Sequence, residues 1–234
     1  MVRFLSEQQL LFLHIPRTGG TWIESAIEMT VGKGNYERWL FAQPESIPKK
    51  HGMLPHLKSD RMNRARNVFT FVRHPKAYYE STWKYLSDIR RVAMRTLLFK
   101  GKYKTEWKWH PHHTAAVHYL PTFDDWVFLM TKHEPMWYTR MVEAYIGPAG
   151  GEFVQFIGRT ESLADDFIEA MHGFGYGKQV KRVEKKLRAK PPANTAQGVC
   201  EWSNDMLAKV METERPVIER FYGEEKQLWF SEIT

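Results

Sequence analysis

Residues 14–21 read His-Ile-Pro-Arg-Thr-Gly-Gly-Thr. The paired glycines Gly19 and Gly20 let backbone come close to an anion, Arg17, Thr18 and Thr21 add side-chain donors, and a helix starting there adds free N–H groups. Such a loop suits phosphate binding. It is not a Walker A loop, which needs a Lys directly after the last glycine, whereas Thr21 follows Gly20 here. An ordinary strand-to-helix turn could carry the same residues. A second segment, Val72-Arg73-His74-Pro75 with Ser81 eight residues after Arg73, bears on that choice. An Arg at the carboxyl end of a parallel strand points into the crevice where open α/β sheets bind ligands. A Ser about two turns into the next helix reaches the same place, so the pair suits a second phosphate. Standing alone, it would equally describe a surface ion pair and a solvated Ser.

Where such a site does acid–base chemistry, histidine, with a pKa near neutrality, is the economical base, and ten are present. His14, at the end of an apolar run, is expected to order its loop. Trp107-Lys-Trp109-His110-Pro-His112-His113, with His118 beyond, invites a metal reading, but it lacks H-E-x-x-H spacing or a facing carboxylate, so no metal is expected. Preceded by Lys100, Lys102 and Lys104, it suits either a ligand-binding wall, with rings for sugar or apolar faces and cations for acidic groups, or a loop held on the core by its rings. Lys178, Lys181, Arg182, Lys185, Lys186, Arg188 and Lys190 form a basic run interrupted by one acid, Glu184, as a solvated helix face would.

The elements that must hold these groups follow from periodicity. Residues 9–15 read as a buried strand, 16–20 as a tight loop and 21–30 as a helix with Trp22, Ile23, Ala26 and Ile27 on its apolar side. Residues 31–56 give no sustained period and are expected to be mostly loop. The strand-to-helix pattern repeats at 68–72 followed by 76–89, and again at 153–157 followed by 161–171. Residues 90–121 show no clear period. Helices are expected at 123–131 and 136–145, then a loop at 191–198 and a last helix over 203–222 capped by Ser203. Three strand-to-helix units without a hairpin signal predict an α/β fold of three layers, a central parallel sheet flanked by helices, in a single domain spanning 1–234.

Composition narrows the partners. There are 34 Lys plus Arg against 27 Asp plus Glu, a net charge of +7, with 43% hydrophobic and 14% aromatic residues. That usage is globular, and a chain of 234 residues can bury roughly 70–75% of its unfolded surface. The lone Cys200 excludes an internal disulfide and a cysteine metal cluster, which fits a reducing cytosol. No apolar run approaches the ~18 residues of a spanning helix. The N-terminal stretch lacks a signal-type cleavage site.

In this order, HIPRTGGT and RHPKAYYES resemble the two nucleotide-binding motifs of the sulfotransferases that use 3′-phosphoadenosine-5′-phosphosulfate (PAPS), whose patterns are HIPKTGGT and RxPxxxxxS. Lys50-His51 resembles a Lys-His element that lies between those motifs in bacterial and carbohydrate sulfotransferases. Phe156-Ile-Gly158-Arg159-Thr160-Glu161-Ser-Leu, with Asp166-Phe167, resembles the family's later strand and helix, and Asn194 and Tyr222-Gly223 fall in familiar places. The resemblance covers nearly the whole chain and is looser over 90–150. It implies a P-loop-like fold and a metal-independent, in-line transfer of a sulfuryl group from PAPS to a hydroxyl or amine, releasing adenosine 3′,5′-bisphosphate (PAP). Pro16, Arg17, Thr18, Gly19, Gly20, Thr21 and Trp22 would then hold the 5′-phosphosulfate, Arg73 and Ser81 the 3′-phosphate, and Arg188 or Lys190 would close over the nucleotide. It further implies Arg17 and His51 as catalytic, His56 as the second candidate base, and Glu24 or Glu45 where relatives use a Glu.

One residue departs from the family pattern. Where it has Lys, this chain has Arg17, which keeps the charge but is a very poor proton donor, so its role becomes electrostatic. The expected partners are a small nucleotide and a hydroxyl-bearing acceptor, carbohydrate among the candidates, with no membrane. Golgi relatives carry an anchor not seen here, so the expected setting is cytoplasmic, of bacterial or phage type. Two other readings remain at this point. A P-loop-like nucleotide kinase lacks its Lys and a recognisable Mg²⁺-binding Asp, and a basic nucleic-acid-binding module leaves both phosphate motifs unexplained.

Overall fold

A computed structural model of the chain describes residues 2–5, 10–33, 35, 37–39, 67–97, 115, 118, 120–147, 154–191 and 199–223. Among the described residues five strands form one sheet: β1 (Val2–Leu5), β2 (Leu10–Leu13), β3 (Glu37–Trp39), β4 (Asn67–Val72) and β5 (Phe156–Arg159), in the order β3-β1-β2-β4-β5. The three strands that carry the strand-to-helix units are parallel: Leu10 pairs with Asn67 and Leu13 with Thr70, then Phe69 with Phe156 and Val72 with Arg159. Their carboxyl ends therefore come together at one edge, where both phosphate-type loops begin.

Helices cover both faces. β2 shows why its four residues are all apolar: Leu10 and Phe12 enter one core and Leu11 and Leu13 the other, all fully buried. A strand buried on both sides cannot alternate with polar residues. The first core is closed by α1 (Gly20–Val31), α5 (Leu163–Gly173) and α6 (Gly177–Ala189), through Trp22, Ile23, Phe167, Met171, Val180 and Leu187. The second is closed by α2 (Pro75–Leu97), α3 (Phe123–His133), α4 (Trp137–Ile146), α7 (Asn204–Thr213) and α8 (Arg215–Tyr222), with Tyr78, Tyr79, Trp126, Trp137 and Tyr138 at its centre.

The sheet differs from the purely parallel expectation at one side. β1 pairs antiparallel with β2, Val2 opposite Leu13, and β3 pairs antiparallel with β1. Residues 6–9, Ser-Glu-Gln-Gln, contain none of the Gly or Asn turn pairs that announce a hairpin, and β3 is three residues long, set by its partner's backbone rather than by a period of its own. Two helix boundaries also move. α2 runs on through 97, past the expected end at 89. The expected last helix is two, broken at Glu214, because Pro216 cannot donate an N–H within a continuous helix. Ser203 caps the first of them, its Oγ accepting from the Met206 N–H at 3.3 Å.

Candidate active site

The loop between β2 and α1 is held by its own chemistry. Thr18, fully buried, donates from Oγ1 to the Ile15 carbonyl at 2.8 Å. Arg17 sits at φ 66° and Gly19 at φ 83°, both in the left-handed region. For Arg17 that backbone costs about 1–2 kcal/mol, so something must hold it there. Gly20 has a different reason to be glycine: a Cβ would lie 1.9 Å from His14 Nε2. The His14 ring, stacked on Phe12 at 5.9 Å, thus rests against the loop and orders it, as expected. Gly19 precedes the first helical residue without a side-chain cap, and no acid occupies the first turn of α1. The positive end of that helix faces the loop uncompensated.

The structure brings the two motifs together. The Arg17 guanidinium crosses to α2, where Nε donates to Ser81 Oγ at 3.1 Å and Nη2 donates to the same oxygen at 2.8 Å and to the Ser81 carbonyl at 3.1 Å. Tyr85, one turn further on, presents its ring 4.7 Å from the guanidinium carbon. From the end of β4, Arg73 Nη1 donates to the Arg17 carbonyl at 3.2 Å, while its Nε is buried with no hydrogen-bond partner among the described residues. Burial, together with the neighbouring Arg73 cation, pushes the Arg17 guanidinium down from its ordinary value. Two cations and an unsatisfied donor are therefore held side by side. An anion between them would relieve both the repulsion and the lost hydrogen bond.

The turn that carries Arg73 is fixed by side chains that sequence reasoning missed. The Arg73 N–H donates to Tyr138 Oη at 2.8 Å, and the His74 N–H to Glu161 Oε1 at 2.9 Å. Glu161 is steadied in turn by the Tyr222 hydroxyl, 3.0 Å from Oε2. These acceptors take the two N–H groups that would otherwise extend β4, so the strand stops where Arg73 must turn. Glu161 lies inside the FIGRTESL segment, which signalled only resemblance. Tyr85 was findable, four residues beyond Ser81 and so on the same helix face.

Other expected residues fall as follows. Pro16 and Thr21 lie in the loop and the first turn of α1, and the Trp22 indole N–H donates to the Lys190 carbonyl at 3.3 Å, setting the end of α6 beside the loop. The Arg188 guanidinium pairs with Asp165 and Glu184 instead of standing free. Glu24 sits in α1. His118 stacks on His133 with ring centroids 5.4 Å apart. Burial pushes the Cys200 thiol up to about 11, which keeps it protonated and a poor nucleophile near neutrality. The expectations for Glu45, Lys50, His51, His56, Asn194 and 107–113 lie outside the described residues. Among the described residues there is no group of three or more His, Cys, Asp or Glu able to hold a metal ion, and no helix long and apolar enough to cross a membrane.

A model described as the sulfotransferase family matches residues 2–230. The chain belongs to the sulfotransferase family. No curated protein and no solved structure gives a significant match. Membership makes this chain a transferase of sulfuryl groups on an α/β scaffold. A sulfotransferase must bind an activated sulfate donor with several negative charges. Arg17 and Arg73 stand side by side at the joined carboxyl ends of β2 and β4.

Proposed function

We propose that this sulfotransferase moves a sulfuryl group from PAPS to a hydroxyl, or an amine, of its acceptor, without a metal, the chain acting as one domain. The observation that carries the reading is the cluster of Arg17, Arg73 and Ser81, in which a buried Arg73 Nε lacks a partner among the described residues. Those residues fit a ligand with phosphate oxygens at two places. The donor, when bound, supplies an activated sulfuryl group and a bisphosphate leaving group.

In this reading Pro16, Thr18, Gly19, Gly20, Thr21 and Trp22 shape the cradle for the 5′ end, with N–H groups of the α1 first turn as donors. Arg73 and Ser81 hold the 3′-phosphate, and Lys190, whose backbone is tied to Trp22, closes the edge. Arg188, engaged by two acids, reaches the nucleotide only by giving them up. Arg17 stabilises the charge that develops on the departing phosphate oxygen and donates no proton to it. His51 accepts the proton of the attacking hydroxyl, with His56 as the second candidate. The single cysteine supports a reducing, cytoplasmic setting.

Ligand-induced stabilisation tests the donor. PAP at about 100 times its Kd adds about 2.7 kcal/mol, a rise in melting temperature on the order of 5–10 °C for a chain of this size. Arg73→Ala or Ser81→Ala should remove most of that rise. A rise with ATP and Mg²⁺ but none with PAP overturns the reading. His51→Ala should keep the PAP rise and lose transfer to a hydroxyl; full turnover in that variant assigns the base elsewhere.

A further inference from the structure

His74 follows Arg73 directly and precedes Pro75, the first residue of α2. Its carbonyl accepts the Tyr78 N–H at 2.8 Å, the first hydrogen bond of that helix, so the residue stands at the helix N-terminus. No acid occupies the first turn of α2. The His74 N–H is fixed on Glu161 Oε1 at 2.9 Å, and the imidazole packs edge-on with Tyr222, ring centroids 5.1 Å apart at 85°. Tyr222 is itself anchored by its hydroxyl to Glu161 Oε2. Backbone and ring are thus both held beside Arg73, while neither ring nitrogen of His74 has a hydrogen-bond partner among the described residues.

The charges around this ring are mostly positive. Arg73 precedes it, and Lys76 stands two residues on, paired with Glu80 at 2.6 Å. Arg159, at the end of β5, lies over the same Tyr222 ring, its guanidinium carbon 5.2 Å from the centroid. Glu161 is the acid in contact, and burial keeps the Tyr138 and Tyr222 phenols protonated. Burial holds the half-buried imidazole below its ordinary value; Glu161 pulls it up, and Lys76 adds to the lowering. With the site empty, His74 is therefore uncharged at neutral pH. A phosphate dianion against Arg73 reverses the field at the next residue, and an opposite charge that close favours the protonated imidazole.

We infer that His74 is a proton-linked member of the donor site: its imidazole takes up a proton when phosphate oxygens settle against Arg73, so affinity for the nucleotide rises as pH falls. This rests on the reading that Arg73 meets a phosphate of the donor. Occupancy raises the imidazole above its empty-site value. The gain in affinity is then complete below the empty-site value and is lost as pH rises through the occupied-site value. PAP keeps the 3′-phosphate, so the product too is held less tightly as pH rises.

Calorimetric titration of the full chain with PAP between about pH 5.5 and 8, in buffers of different ionisation enthalpy, measures affinity and proton uptake together. His74→Asn keeps a polar residue at the helix start without a titrating group, and His74→Gln carries the comparison should the first variant fail to fold. The second ionisation of the phosphate itself, near about pH 6, is common to all three proteins and cancels in the ratio of parent to variant affinity. That ratio should rise about 5–10-fold from the top of the range to the bottom, with the parent taking up about half a proton more than the variant near pH 6.5. In spectra of the chain carrying ¹³C-labelled histidine, the ring signal missing from the variant should titrate at higher pH with PAP than without. A ratio constant within about 2-fold, or a His74 signal that titrates alike with and without PAP, overturns the link while leaving the donor reading in place. No binding of PAP by any of the proteins at any pH overturns the donor reading, and the link with it.

Discussion

Arg17→Ala lowers kcat by about 10²–10³-fold, the loss expected when one preorganised charge at a developing oxyanion is removed. Four of its contacts explain the size. The guanidinium is aimed by donating twice to Ser81 Oγ and once to the Ser81 carbonyl, and the Tyr85 ring backs it at 4.7 Å. Little reorganisation is then needed when charge develops. The Arg73 cation raises the energy of the empty arrangement, so binding an anion gains more there than at an isolated arginine. Arg17→Lys separates charge from geometry: it keeps the cation and loses the forked contact with Ser81 Oγ. Steady-state kinetics on both variants, beside a melting curve showing each folded, checks the assignment. Turnover within about 3-fold of the parent in Arg17→Ala would remove Arg17 from the reaction.

The largest effect on stability belongs to a residue far from the phosphate loops in sequence. Glu214→Ala should destabilise the fold by about 3–5 kcal/mol, a drop in melting temperature on the order of 10 °C. Glu214 is fully buried at the break between α7 and α8. Its Oε1 accepts from the Tyr79 hydroxyl at 2.8 Å and the Tyr138 N–H at 3.0 Å, and its Oε2 from the Thr139 N–H at 2.8 Å and the Thr139 hydroxyl at 2.7 Å. The carboxylate thus serves the first turn of α4, where negative charge is favoured. Alanine strands four buried donors together. Glu214→Gln keeps one carbonyl oxygen and turns an amide towards donors, so it should cost less than alanine and more than nothing. Thermal unfolding of the three proteins gives the order. The damage should also reach catalysis, because Tyr138, whose N–H Glu214 holds, presents its hydroxyl to the Arg73 N–H.

Much of this was legible beforehand for local reasons. The strand-loop-helix units at 10–31 and 67–97 announce themselves by continuous apolar runs followed by glycine or proline and then a 3.6-residue period, and each signal lies within about fifteen residues. Ser203 as a cap, His14 as a loop support and Arg73 at a strand end are likewise local. The β1–β2 hairpin was not legible, since its connection lacks turn-specific residues and its strands are four residues long. Nor was the split at Glu214, where a helical period continues through a change in direction and only Pro216 marked it.

By itself the sequence determined which residues could bind phosphate, that they follow parallel strands, and that Arg17 carries charge without an easily transferred proton. Those are properties of residue type and near-neighbour spacing. Only the tertiary structure decided that Arg17 reaches Ser81, that Arg73 reaches back to Arg17, and that Tyr138 and Glu161 hold the turn between β4 and α2. The contacts join positions 56 to 87 residues apart, and no local period encodes them. The same is true of the basic run at 178–190. Its charge is plain in the sequence, but packing alone turned five cations outward, tied a sixth to Asp165 and Glu184, and brought the helix end to Trp22.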